Sequence, residues 1–586
     1  MDTDPRSPVV LAPHLEFLPI DSRRGQIRLL QIAPGQVGEP IRCSYQIASV
    51  DENVPYQTLS YVWGEMGGNR TIIVEGTEAE LTDNLFDALA RIRHETKPRH
   101  LWVDALCINQ QDGDEKTAQV NMMHRIYANC VQCNIWMGNI DAVAIGVTEA
   151  ESLRAAEGAI GAVQVLAGIE SDSDLPPHLA NRGQKIKAGK ALKALMHTQW
   201  WSRIWTVQEA TSPRISTVLW GPLSIPWSSM RLAAERLISG NYPPEEQLAI
   251  TDLFEYSNYS WFTAPILGLI WASRWIVQPH PPLEMLWRFR YRDSTDPRDK
   301  VYVILNLVEE GTYPLPSVAS SDYTTNTAVL YRRVMLDLLR NEWGLRPLIG
   351  LRGERKSVPG LPSWVVDWSL PPGEFGFAGF WAHNYFWLHY TADRGLPMLH
   401  LDELTSPEHG EDVLNVNGVF FDKVLVYGDL IARDEEDDRL QEMVAEVIAK
   451  ALAEEPRYRI ISEVYWQEAL VDIIEGNYAS SEAIIEGAPG NAFWRGEMLR
   501  YQRLFITENG AVGLGPSGTS IGDEVWILSG GRSPFLLSPL HPDDADMKGR
   551  DASFHYTFRG DIFIPGIMEG EAVDSRIDNQ RFVHIH

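Results

Sequence analysis

Cys130-Val131-Gln132-Cys133, with His124 just ahead of it, has the ligand types and spacing of half a zinc site. A closed site needs a second pair, and no other Cys or His pair lies at a suitable distance, so no metal is expected and packing is the simpler role. Cys107 would serve as a nucleophile only as a thiolate, and no histidine stands near it to take the proton. Gly513-Leu514-Gly515 and Gly530-Gly531 lack the spacing of a phosphate-binding loop and read as hairpin turns. The polar groups that remain follow apolar runs. Gly64 ends the run Tyr56–Trp63, and Cys107-Ile108-Asn109-Gln110 ends the run Leu101–Leu106. At Gly64 the backbone could approach a phosphate or ribose closely, and Asn109 and Gln110 could donate to it. The same two side chains could instead brace their own turn. Asp104, late in its run, is either a ligand contact or a hydrogen-bonded anchor for Arg125 or a backbone amide.

The elements that must position these groups alternate. Tyr56–Trp63, Leu101–Leu106 and Asn134–Gly138 are short apolar runs of the kind that form buried strands. Between the first two, Thr82-Asp83-Asn84 leads into Leu85, Phe86, Leu89 and Ile92, an N-cap followed by helical spacing. Between the second and third, residues 114–129 carry Val120, Met123 and Tyr127 on one helical face. Strand, helix, strand, helix, strand predicts a parallel sheet, whose ligands collect at the carboxyl ends of its strands. Residues 1–50 read as a β extension packed on this unit, which spans 51–215. Residues 168–187 read as loop, 216–400 as a mainly helical middle region, and 401–586 as a C-terminal region. That last region holds an acidic helix (433–455) and a β-rich module from Leu504. The expected class is thus α/β, with a helical middle and a small β-rich end. Trp102, Trp136, Trp200, Trp201 and Trp205 fall in or beside core elements, so packing is their default role and an aromatic surface for a purine ring or partner the other.

The chain has 586 residues, 51 Lys and Arg against 79 Asp and Glu, and a net charge of −28. Such a field repels phosphate backbones and anionic lipid, so neither nucleic acid nor membrane is an expected partner. It leaves room for a small anion in a local pocket. Four cysteines are too few for a disulfide framework and fit a reducing, cytoplasmic setting. The start Met1-Asp2-Thr3-Asp4-Pro5 lacks the pattern of a secretory signal. The stretch Trp261–Val277 holds Pro265 and Arg274 and reads as a buried helix rather than a membrane span.

Three segments in order carry a resemblance. Tyr56-Gln57-Thr58-Leu59-Ser60-Tyr61-Val62-Trp63-Gly64 resembles the opening motif of the fungal heterokaryon-incompatibility (HET) domain. Leu101–Gln110, continued by Asp112, Glu115, Gln119, Met123 and Tyr127, resembles the central motif, and Trp201-Ser202-Arg203-Ile204-Trp205-Thr206-Val207-Gln208-Glu209 the closing one. Asp296-Pro297-Arg298-Asp299-Lys300-Val301-Tyr302 and the stretch from Arg503 to Glu571 are similar to later parts of large family members; on its own residues, the former would cap a helix beginning at Lys300.

The resemblance implies an effector of nonself recognition that triggers growth arrest or programmed cell death. Expected partners are other proteins of an incompatibility pathway and further copies of the domain. HET domains are in turn distantly similar to TIR domains, some of which cleave NAD and place a glutamate four residues after a tryptophan. Trp205 and Glu209 have that spacing, and Ser60, Tyr61, Trp63 and Gly64 resemble the first TIR strand and its turn. On this likeness Glu209 is the catalytic candidate, with Ser60, Tyr61, Trp63, Gly64, Asp104, Cys107, Asn109, Gln110 and Trp205 around the ligand. NAD would be a substrate, and no bound cofactor is implied. A carboxylate suits the chemistry, because loss of nicotinamide builds positive charge on the ribose. Glu209 could equally be a helix-face carboxylate paired with Arg203 or Arg214. The alternative function is a signalling module that binds proteins and turns over no nucleotide.

Overall fold

The structure is a computed structural model that describes residues 15–52, 54–64, 70–168, 177–240, 253–254, 259–274, 281–305, 307–308, 315–318, 320–342, 344–350, 356–370, 390–394, 396, 404–405, 410–432, 437–454, 462–475, 499, 501–541, 554–574 and 576–586. The N-terminal pentapeptide, residues 169–176, residues 275–277 and residues 433–436 fall outside that set. Of the stretch 168–187 expected as loop, residues from Arg182 on are instead helical, because the Asn181 side chain accepts the Gln184 N–H and caps a helix there. Two compact units form, one of residues 1–285, 292–313 and 320–324, the other of 286–291, 314–319 and 325–586.

The first unit is built on a nine-stranded sheet. Its strands are β1 (Gln26–Ile32), β2 (Arg42–Ser49), β3 (Gln57–Ser60), β4 (Arg70–Val74), β5 (Thr77–Leu81), β6 (Arg99–Trp102), β7 (Gln132–Trp136), β8 (Ser216–Trp220) and β9 (Leu223–Pro226). They lie in the order β5-β4-β2-β1-β6-β3-β7-β8-β9. The centre, β6-β3-β7-β8, is parallel, as the alternation of runs predicts. The flanks are not wholly so: β1 pairs antiparallel with both β2 and β6, and β8 with β9. Residues 26–49, expected as an extension packed on the domain, thus supply two strands of its own sheet, and the sheet runs past 215 through β8 and β9.

Central position explains the composition of β3, where Thr58, Leu59 and Ser60 are all buried. Helix α1 (Asp83–Ile92) starts where Thr82 Oγ accepts the Leu85 N–H at 3.3 Å, and it buries Leu85, Ala88, Leu89 and Ile92. Helix α2 (Gly113–Asn129) starts at Asp112, whose Oδ1 accepts the N–H groups of Asp114 and Glu115 at 3.0 Å. The run Leu101–Leu106 differs from expectation. Its strand stops at Trp102, and Asp104–Cys107 make one helical turn, with the Asp104 carboxylate accepting the Ala105 N–H at 2.7 Å. A short polar side chain that bonds its own backbone breaks a strand in this way.

Helix α3 (Glu149–Leu166), opened by a Thr148/Glu151 capping box, packs on α4 (Arg182–Met196) and α6 (Trp227–Ser239). A row of small residues allows the close approach: a Cβ at Gly158 would stand 3.1 Å from that of Ala188. Helix α5 (Thr206–Thr211) carries the closing motif, α7 (Ser260–Arg274) contains Pro265, and α8 (Asp299–Leu305) follows the Asp296-Pro297 pair. Among the described residues no helix is long and apolar enough to cross a membrane.

The second unit contains α9 (Thr327–Glu342), α10 (Asp437–Glu454), α11 (Ser462–Glu475) and strands β10 (Leu414–Leu430), β11 (Gln502–Thr507), β12 (Val512–Pro516), β13 (Glu524–Leu528), β14 (Phe535–Pro539), β15 (His555–Asp561) and β16 (Arg581–Ile585). The strand order is β12-β11-β10-β13-β14-β15-β16, and β16 also pairs with β10, so β10, β13, β14, β15 and β16 close into a barrel. Its first strand lies ahead of the β-rich stretch expected from Leu504. Gly513 and Gly515 are strand residues in β12 rather than turn residues. The Phe505 ring occupies the space beside Gly513, where a Cβ would come within 2.4 Å. Gly530, at φ +79°, does form a turn.

Candidate functional site

Buried polar groups meet where β3 ends. Glu209, on the first turn of α5, is 3% exposed and accepts the Ser60 hydroxyl at 2.5 Å. Ser60 Oγ in turn accepts the Trp200 indole N–H at 2.7 Å. Burial drives the Glu209 carboxyl up from its ordinary 4.5 to about 7, and the nearby Asp104 carboxylate adds to the rise. The Arg203 guanidinium and the Ser60 hydroxyl pull it down without cancelling burial. Arg203 donates to the Tyr61 carbonyl. Near neutral pH, Glu209 is therefore divided between acid and anion.

Asp104 lies beside this group. Trp63 donates its indole N–H to Asp104 Oδ2 at 2.8 Å, and the buried Tyr61 hydroxyl stands near the same carboxylate without a well-formed hydrogen bond. Arg125, the partner expected from sequence, pairs with Asp51 instead. Ser60, Tyr61, Trp63, Asp104 and Glu209 thus converge on the carboxyl ends of β3 and β6.

The other named residues point elsewhere. Cys107 is buried, with its thiol pushed up to about 12, chiefly by burial, and so is no nucleophile near neutral pH. Its carbonyl accepts from Arg28 at 3.0 Å, and Glu115, paired with the same arginine, accepts the Asn109 N–H at 2.7 Å. The Asn109 side chain accepts the Gln111 N–H, and Gln110 donates to the Asp104 carbonyl. The 107–110 turn is therefore braced from within and by the Arg28–Glu115 pair. All four cysteines are buried and free, and no cluster of metal-ligating side chains occurs among the described residues.

Trp205, at the N-terminus of α5, donates to the buried carboxyl of Asp299. Asp299 also accepts the Tyr323 hydroxyl at 2.8 Å, and burial lifts its carboxyl to about 6. The 296–302 segment thus holds the closing motif as well as starting a helix. Trp205→Phe removes one of these donors. The expected result is an Asp299 carboxyl titrating above 6, followed by NMR, with a stability loss of about 2 kcal/mol. An unmoved titration would break the assignment.

A cleft of about 640 Å³ opens at the same strand ends. Val62 and Gly64 after β3, Trp136 and Met137 at the end of β7, and Trp220 at the end of β8 line one side. Trp200 also lines it, so Glu209 sits behind the wall at one remove, through Ser60. Gly64, at φ +74°, makes a turn that a side chain would strain. Asn84 donates to the Val62 carbonyl at 2.7 Å and accepts the Trp136 indole at 2.8 Å, which locks the floor. The opposite wall is the end of α4, with Lys190, Lys193, His197 and Gln199. Sequence reasoning reached Gly64 and missed this wall, whose signal is the helical spacing of Lys190, Lys193 and His197.

Fold and site define an α/β domain with a cleft at the carboxyl edge of a parallel sheet core, joined in one chain to a β-barrel unit. Residues 56–209 match the Heterokaryon incompatibility protein (HET) family and residues 485–584 the Het-6 beta-barrel domain, so the chain carries a HET domain and a Het-6 barrel domain. The chain is similar to heterokaryon incompatibility protein 6, OR allele, of Neurospora crassa, at 23% identity over 94% of each chain. No solved structure matches it significantly. The HET domain match supports a role in nonself recognition. The matched barrel region begins at 485, whereas the barrel itself takes its first strand, β10, from 414–430.

Proposed function

We propose that this chain is an effector of nonself recognition whose HET domain holds a nicotinamide dinucleotide in its cleft and hydrolyses it, leading to growth arrest or cell death. The observation that carries the reading is the Glu209–Ser60–Trp200 chain of hydrogen bonds, which ties a carboxyl poised near 7 to the wall of the cleft. In the reaction the bond between nicotinamide and ribose breaks, nicotinamide leaves as the neutral base, and water adds to the ribose carbon with loss of a proton. A carboxyl of that acidity suits the chemistry, because its anion, held just behind the wall, stabilises the cationic ribose through space. The cell-level response would run through other proteins of an incompatibility pathway and through assembly of HET domains in the cytoplasm.

One observation favours a second reading. Glu209 is buried and does not itself line the cleft, as expected of a module that signals through protein contacts alone. The two separate in one experiment. The full-length protein, concentrated with NAD, is expected to release nicotinamide, and Glu209→Gln to lower the rate at least about a hundredfold. Release that survives the substitution removes Glu209 from the reaction. Absence of release, together with growth arrest that persists in cells expressing the Gln variant, favours the contact-only module.

A further inference from the structure

The cleft is chemically two-sided, and the difference follows from which of its polar groups are already engaged. On the strand side, Asn84 and the Trp136 indole bond each other, Asn139 donates to Asp87, and Asp141 accepts the N–H groups of Val143 and Ala144. The Trp200 indole is taken by Ser60. What the sheet presents to a ligand is therefore mostly apolar ring and aliphatic surface. On the α4 side, Lys190, Lys193, His197 and Gln199 are exposed, and neither lysine has an ion pair among the described residues. Lys187, on the same helix, is by contrast paired with Glu151 at 2.7 Å. His197 donates Nδ1–H to the Lys193 carbonyl at 2.7 Å, which leaves Nε2 for other contacts.

Lys190 and Lys193 are one helical turn apart and share a face. Their ammonium groups can bracket two neighbouring phosphates. In a chain of net charge −28, two lysines without ion pairs on a cleft wall are a local exception to the field around them. The floor across from them suits a flat, uncharged ring system, and the cleft volume suits a ligand of nucleotide size.

We propose that the 190–199 wall reads a pyrophosphate, and that the ligand of this cleft carries a nucleoside diphosphate moiety with its phosphates on Lys190 and Lys193. The inference rests on the ligand cleft of the proposed function and names the part of the substrate that the cleft holds. Its test needs no turnover. The full-length protein is titrated calorimetrically with ADP-ribose, adenosine and inorganic pyrophosphate. ADP-ribose is expected to bind, with each of the other two at least about tenfold weaker. The double substitution Lys190→Glu, Lys193→Glu, on two exposed residues, is expected to weaken ADP-ribose at least about thirtyfold while the unfolding midpoint stays put. Unchanged ADP-ribose binding in that variant, adenosine binding as tightly as ADP-ribose, or no binding by the wild-type chain overturns the proposal. If nicotinamide release fails but ADP-ribose binding follows the lysines, only the catalytic reading falls. If release persists with an unchanged KM in the double variant, only the pyrophosphate wall falls.

Discussion

Glu209→Gln is expected to stabilise the protein at pH 8 by about 3 kcal/mol and to leave its stability at pH 4 almost unchanged. The argument starts from burial. In the folded chain the carboxyl titrates near 7, against 4.5 in its ordinary state. A raised carboxyl contributes stability that is fully present below about 4.5 and is lost as the pH climbs through about 7, because folding then requires an anion out of water. Glutamine keeps an oxygen to accept the Ser60 hydroxyl at the same place and carries no charge at any pH. The gain over wild type should therefore grow through the window from 4.5 to 7 and then level off. Asp299 is shifted in the same direction, to about 6, but it is present in both proteins and cancels in the comparison. Urea midpoints across that range, followed by tryptophan fluorescence, give the answer. A variant less stable than wild type at pH 8 would mean that Arg203 and Ser60 stabilise the anion by more than burial costs.

This result bears on function as well. A protein that keeps a carboxyl where its anion costs free energy, when an amide would fit, retains it for something other than folding. If the stability gain is found and nicotinamide release is lost in the same variant, the cost and the chemistry belong to one group. If the gain is found without any release in wild type, the charge itself becomes the candidate signal, since it forms across the neutral range.

Much of the sheet core was legible because parallel central strands are buried on both faces and read as unbroken apolar runs, as Tyr56–Trp63 and Asn134–Gly138 do. The cap at Thr82 was legible because a capping side chain acts on its own backbone a few residues on. What escaped is non-local. Nothing near β1 says that it will pair with β6, some seventy residues on, because hydrogen bonds between strands carry no local signature. The Leu101–Leu106 run misled because one side chain, Asp104, bonds its own backbone and ends the strand early. In the site, the residues of the opening and closing motifs were found, but their division of labour was not. Trp205 and Glu209, four residues apart, point to different partners, Asp299 and Ser60, and only the fold separates those directions. The α4 wall escaped because lysines on a helix usually read as a solvated face.

The Arg28–Glu115 pair, also invisible from local pattern, carries the second large expected effect. Arg28 is 1% exposed, and four of its five donors are placed: Nε to the Leu18 carbonyl, Nη1 to the Cys107 carbonyl and to Glu115, and Nη2 to the second Glu115 oxygen. Arg28→Met fills similar volume but leaves the Glu115 carboxylate nearly buried without its cation. The expected cost is about 3–5 kcal/mol, because the desolvation of that anion is no longer offset. Adding Glu115→Met is expected to restore part of the loss by removing the stranded charge, although the Asn109 N–H then loses its acceptor. Since these atoms tie β1 and α2 to the 107–110 turn, the single variant should also speed amide exchange at Asn109 and leave the α4 wall untouched. Equal losses in the single and double variants would mean that the pair contributes only as bulk, and that the turn beside Asp104 is held by its own Asn109 and Gln110 contacts.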